Sequence, residues 1–296
     1  MKKIFLTFFI VFFTVCFSQE NDILGRLSAL NNNGKIWYNI DGYSVTSEDF
    51  NNVFDEKGLK KVLKKHQISD SDTKTKDEQV AKNNLFVSKQ QKISENNFQT
   101  NNYYFVENNN KKITVIWFIK NGKTDKDTEE KLINLIIENK IAAENFVPMK
   151  INSINFAGRN IELDNNCYWT FLNTVQCPYL GEMNWSIHKT LDDAKEAIDN
   201  QLNITKSRKG GKVISEEVID VDFENVATKA KKVVYDFTGV TSALAGMSGG
   251  KSLTIFYVAE NVRNRNVSCV MSFWNNDQIN PETKLSPLLE ILMKLK

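Results

Sequence analysis

An α+β fold, made of two related units of antiparallel sheet packed with helices and preceded by an N-terminal signal peptide, is predicted by three features of this 296-residue sequence. Its first eighteen residues are set apart in composition, its later apolar segments are mostly short and strand-like, and the order of those segments recurs about half a chain further on.

The leader comes first. Lys2 and Lys3 precede an uncharged run from Ile4 to Ser18, and thirteen of the first eighteen residues are apolar. This is the layout of a charged n-region and an apolar h-region, ending in Cys16-Phe17-Ser18 as a cleavage site. The run is shorter than the roughly 20 residues that span a bilayer, and no later segment approaches that length, so no transmembrane segment is expected. Phe13-Thr14-Val15 before Cys16 does not make a lipobox, so a lipoprotein is not expected either. The chain reads as an exported protein of the periplasm or the extracellular space, with a leader of bacterial character. On that reading the sequons at Asn184, Asn203 and Asn266 are incidental. Losing Lys2 and Lys3 leaves 36 basic and 36 acidic residues from the original 38 and 36. A neutral chain of this kind excludes nucleic-acid binding by bulk charge, which needs a clustered basic excess.

Ile36 to Ile40 alternates as a strand. Thr46, with Asp49 three residues on, resembles a helix-capping signature, and Phe50, Val53, Phe54, Leu59, Val62 and Leu63 continue at helical spacing with Gly58 as a break. Residues 69–84 are polar and read as a solvated loop. Leu85–Val87, Tyr103–Val106 and Ile113–Ile119 are strands, the last two joined through Asn108-Asn109-Asn110. Thr124 or Asp125 opens a helix with Leu132, Ile133, Ile136 and Ile137 on one side.

The second half has the same sequence of events. Strands are expected at Ile151–Phe156, Ile161–Leu163 and Asn184–Ile187. Thr190 then caps a helix carrying Leu191, Ala194, Ala197, Ile198 and Leu202. Val213–Phe223, Lys231–Phe237, Leu253–Val258 and Val267–Trp274 are further strands. A last helix follows Asn280-Pro281 or Ser286-Pro287, with Leu285, Leu288, Leu289 and Leu292. Glu129–Ile136 and Glu282–Leu289 match at an offset of 153 residues, and Trp37 and Trp185 at 148. The expected boundaries are a signal peptide at 1–18, a first α+β unit at 19–148 and a second at 149–296, sizes that suit ordinary domains.

Export makes disulfides possible. Of the cysteines beyond the leader, Cys167 and Cys177 flank a hairpin and form the expected bridge, which should stabilise the fold by about 3 kcal/mol. Cys269 shares a strand face with Val267, Met271 and Phe273 and reads as a buried core thiol.

The chemistry-bearing patterns are few. Ala245-Gly-Met-Ser-Gly-Gly-Lys-Ser252 fits a relaxed phosphate-loop pattern, but a β-rich run follows where that loop needs a helix, so a glycine-rich connection is expected. Cys177, His188 and Asp192 could be drawn as a thiol-hydrolase constellation, although Cys167 would consume the nucleophile and His188 reads as a surface or turn residue. Glu216, Asp220 and Asp222 share a strand face that could serve an acid-pair hydrolase, or could simply face solvent. No histidine has a metal partner at ligand spacing, and no cofactor or metal is expected. Lys57, Lys60, Lys61, Lys64 and Lys65 form a basic face beside an apolar helix stripe, a candidate surface for another protein or an anionic surface. The leading reading is a non-enzymatic exported binding protein, of an inhibitor, immunity-type or envelope accessory kind. The competing class is an exported hydrolase using Cys177 and His188 or the acidic strand.

Overall fold

Short runs of alternating and β-branched residues pair into two antiparallel sheets in a computed structural model that describes residues 22–93, 98–238 and 250–296. The segment expected to be a signal peptide, 1–18, and residues 245–249 of the glycine-rich pattern lie outside the described residues. The first sheet contains β1 (Ser28–Asn32), β2 (Lys35–Ile40), β3 (Tyr43–Val53), β4 (Asn84–Lys92), β5 (Phe98–Glu107) and β6 (Lys112–Asn121), in the order β1-β2-β3-β6-β5-β4. Helix α1 (Glu56–Lys65) separates β3 from β4, and α2 (Lys126–Ile137) follows β6.

A small hairpin, β7 (Ser153–Phe156) and β8 (Arg159–Glu162), leads into the second sheet. Its strands are β9 (Tyr168–Phe171), β10 (Thr174–Cys177), β11 (Gly181–His188), β12 (Gly211–Phe223), β13 (Val226–Phe237), β14 (Ser252–Val262), β15 (Arg265–Trp274) and β16 (Met293–Leu295). They run in the order β16-β12-β13-β14-β15-β11-β10-β9. Helix α3 (Leu191–Ser207) separates β11 from β12, and the short α4 (Pro287–Glu290) follows β15. The chain is thus α+β, dominated by antiparallel sheet with a few helices.

Each sheet is covered on both faces. Tyr103, Phe105, Ile113 and Val115 of the first meet Val62 of α1, while Tyr104, Val106, Ile116 and Phe118 on the other face meet Leu132 and Ile133 of α2. In the second, Val233, Tyr235, Ile255 and Tyr257 meet Ile198 and Leu202 of α3. Its opposite face packs Trp185, Phe223, Phe256 and Cys269 with Phe156 of the hairpin and Leu288 and Leu289 of α4. Such double coverage explains the nearly continuous apolar runs Tyr103–Val106 of β5 and Ile113–Ile119 of β6: both side-chain rows are buried.

The structure corrects the helix expected from Thr46. That residue lies on β3, paired with Trp37 on β2 and Trp117 on β6, and the strand continues to Val53 before α1 begins. The helix is capped instead by Asp55, whose carboxylate accepts from Gly58 N at 2.7 Å. Nor does Gly58 break it. Gly58 lies in the first turns of α1, and a Cβ there would sit 2.0 Å from the Val53 carbonyl oxygen. Only glycine lets the strand end and the helix start approach this closely.

The Cys167–Cys177 disulfide is formed, with Cα atoms 4.2 Å apart, and Cys269 is a fully buried free thiol whose burial pushes its pKa up. Trp37 and Trp185 are not equivalent in strand order, since one lies on the second strand of its meander and the other on the third. Among the described residues no helix is long and apolar enough to cross a membrane.

Candidate functional site: a lysine face and a cleft between the sheets

Helix α1 exists because Asp55 caps it, Glu56 lies in its first turn, and Lys64 and Lys65 lie in its last, where each charge complements the helix dipole. Leu59, Val62 and Leu63 turn into the core, which leaves Lys57, Lys60, Lys61, Lys64 and Lys65 exposed. Lys65 is tied down: its ammonium lies 2.8 Å from Glu48 and 4.3 Å above the Phe50 ring. No acidic partner holds Lys57, Lys60, Lys61 or Lys64 among the described residues.

The acidic strand is different. Glu216 pairs with Lys206 at 2.6 Å, Glu217 with Lys232 at 2.7 Å, Asp220 with Lys229 at 2.8 Å and Asp222 with Lys296 at 2.7 Å. Each carboxylate proposed for an acid pair therefore has its own lysine, on an outward, solvated face of β12. The thiol constellation also fails, because Cys177 is disulfide-bonded and the Asp192 side chain is 97% exposed.

His188 is the largest departure from the sequence reading. It is 2% exposed rather than a surface residue. Alternation along β11 places Trp185 and Ile187 on one face and Ser186 and His188 on the other, so the imidazole turns toward the first sheet. Its Nε2 lies 2.8 Å from Ser268 Oγ, while Nδ1 is buried without a partner among the described residues. Burial, with Lys120 nearby as a smaller cause, pushes its pKa down to about 4. Gly42 allows this placement: its φ is +76°, and a Cβ on it would come within 3.1 Å of His188 Cε1.

The sign of the resulting pH dependence follows from that depression. The unfolded chain binds a proton at His188 near its ordinary pKa of 6.5, whereas the folded protein resists until about 4. Stability is complete above 6.5 and is lost as pH falls between those values, by about 3 kcal/mol at most. Urea denaturation should show this acid-side decline, and His188→Gln should flatten it; equal slopes in the two proteins would refute the assignment.

His188 lines a cleft of about 360 Å³ between the sheets. Its floor is the Asp41-Gly42 turn of the β2–β3 hairpin, where Asp41 N donates to Ile187 O at 3.0 Å. Asp41 is itself held by the buried Arg26, whose Nε donates at 2.8 Å. Across the cleft, Lys189 reaches Asp125, the cap of α2, at 2.5 Å. The sheets are also joined by Ser186 Oγ donating to Asn39 at 2.9 Å and by stacking of Trp37 on Phe171 at 5.1 Å.

Behind this wall lies Glu129, fully buried on α2, accepting from Tyr43 Oη at 3.0 Å, Tyr104 Oη at 2.9 Å and Asn102 Nδ2 at 2.9 and 3.0 Å. Desolvation pushes its pKa up, opposed by these donors. The sequence reading missed Glu129, although a signal existed: it stands three and four residues before Leu132 and Ile133, on the apolar stripe of the helix. Among the described residues no cluster of histidine, cysteine and carboxylate side chains could hold a metal ion.

No family model and no curated protein matches the chain. Among solved structures it is similar to DynU16, a protein of the dynemicin biosynthetic locus, at 7% identity over 89% of this chain and 81% of that one, with a TM-score of 0.17. It is also similar to the di-domain ARO/CYC protein StfQ of the steffimycin pathway, at 9% identity over 92% and 81%, again with a TM-score of 0.17. At that overlap neither carries an argument about this chain.

Proposed function

We propose that the chain is an exported, non-enzymatic binding protein of two related units, 19–148 and 149–296, which recognises an acidic protein partner through the lysine face of α1. The observation that carries this reading is the contrast in pairing: Lys206 of α3, Lys229 and Lys232 of β13 and Lys296 just past β16 each hold a carboxylate, whereas Lys57, Lys60, Lys61 and Lys64 of one helix face hold none among the described residues. Unpaired like charges on one face repel one another, and a partner carrying the opposite potential relieves that cost while accelerating encounter. The Cys167–Cys177 bridge supports an oxidising compartment, and therefore export to the periplasm or beyond.

The two-unit reading rests on strand order. In both sheets the third strand of one meander pairs with the last strand of a second meander that follows a helix. The matched segments Glu129–Ile136 and Glu282–Leu289 both fall where a helix follows that last strand.

The test is comparative. Wild-type protein immobilised in envelope extract should retain an acidic protein that is released by salt. The quadruple variant Lys57→Gln, Lys60→Gln, Lys61→Gln, Lys64→Gln should fold normally and bind it at least about tenfold more weakly, since each removed charge contributes up to about 1 kcal/mol. Retention of the same proteins by both would overturn the assignment of the face.

A further inference from the structure

We propose that the cleft between the two sheets is a binding site for a small zwitterion of the free amino acid type, whose carboxylate sits on Lys120 and whose ammonium faces Glu196. The site is independent of the lysine face. Lys120 stands near the end of β6, half-buried, with its ammonium 4.4 Å from the centre of the Tyr43 ring and, among the described residues, no carboxylate in ion-pair contact. Burial pushes its pKa down, while Asp41, Asp193, Asp125 and Glu196 around the cleft act in the opposite direction. Most of those acids are already engaged: Asp41 by Arg26, Asp125 by Lys189, and Asp193 by the Thr190 hydroxyl at 2.7 Å. Glu196 has no ion-pair partner among the described residues. A desolvated cation without an anion is costly, and an incoming carboxylate would supply one.

His188 is the second, independent observation. It is 98% buried by its 2% exposure, lines the same cleft, and has an Nδ1 with no partner among the described residues. Buried ring nitrogens are ordinarily hydrogen-bonded, so an orphan beside an unpaired lysine points to a polar ligand atom. Charge selects its class. Four lysines and five carboxylates line the cleft, so a dianion such as phosphate meets net repulsion, whereas a molecule carrying its own cation does not. A volume of about 360 Å³ admits an amino acid and excludes a folded partner.

The chain has two histidines, which makes the site directly observable. In protein labelled with ¹⁵N at histidine, titration with L-alanine or L-glutamine at millimolar concentration should shift the His188 Nδ1 resonance saturably and leave His66 unmoved. Acetate, methylammonium and inorganic phosphate should each bind at least about tenfold more weakly, as expected when a charge-assisted contact is lost. Lys120→Met should abolish the amino acid response, with an unchanged His66 signal reporting the fold. Glu196→Gln, at an exposed position, should weaken the amino acids and leave acetate unaffected. Tighter binding of phosphate, an unshifted His188 at saturating amino acid, or an undiminished response in Lys120→Met would each overturn the proposal.

Discussion

Replacing Glu224 by alanine should destabilise the protein by about 3 to 5 kcal/mol, the range for removing one partner from a buried charge cluster. Its side chain is 2% exposed and receives both Arg159 and Arg263. Arg159 Nε donates to it at 3.0 Å, and Arg263 extends past it to the carbonyls of Ala157 at 3.0 Å and Phe156 at 2.7 Å. The three residues come from three two-residue hairpin turns, or from positions beside them: Ala157-Gly158, Glu224-Asn225 and Arg263-Asn264. All six turn residues have positive φ, from +48° to +92°. That geometry matches the twist of paired strands and ordinarily selects asparagine or glycine. Glutamate at φ +52° is disfavoured locally, so its presence follows from what its carboxylate ties together. Glu224→Asn separates the two effects: it suits the turn but shortens the arm, and it should still cost about 2 kcal/mol. A urea midpoint for Glu224→Ala within error of wild type would show that the partly exposed arginines rehydrate without loss.

The second large effect is expected at the disulfide. Cys167→Ser with Cys177→Ser should lower stability by about 2 to 5 kcal/mol, mainly by freeing the unfolded chain. The bridge anchors the loop before β9 to the end of β10, at the open edge of the second sheet, where short strands have few hydrogen bonds to hold them. A thiol titration of the folded protein should find none reactive, because Cys269 is fully buried and its thiolate is disfavoured, and one after denaturation. Three thiols after denaturation without reductant would contradict the bridge.

These two sites differ in how much of them could be read in advance. The disulfide was legible because two cysteines flanked a strand pattern. The Glu224 cluster was not, since nothing in Glu224-Asn225 announces that two arginines 65 and 39 residues away converge there. Most strands and the caps of α2 and α3 were legible from alternation and from Asp125 and Thr190. The failure at Thr46 has a specific cause. Phe50, Val53 and Phe54 satisfy helical spacing while sitting at the end of β3 and in the connection to α1, and the Asp41-Gly42 turn signal upstream was the better guide to a hairpin. The lysine face was visible because it is local. The cleft was not, because Lys120 and His188 come from strands of different sheets, β6 and β11, and Glu196 from helix α3.

Recognition of an acidic partner by Lys57, Lys60, Lys61 and Lys64 of α1 is open to a test at single positions. A photo-crosslinking residue is placed at Lys61 and, as a control, at Lys229 on β13, where the lysine pairs with Asp220 of the acidic strand β12, in otherwise wild-type protein mixed with envelope extract. One salt-sensitive adduct with an acidic protein is expected from position 61 and none from position 229. Identical adducts from both positions, or none from position 61 at low salt, would contradict it.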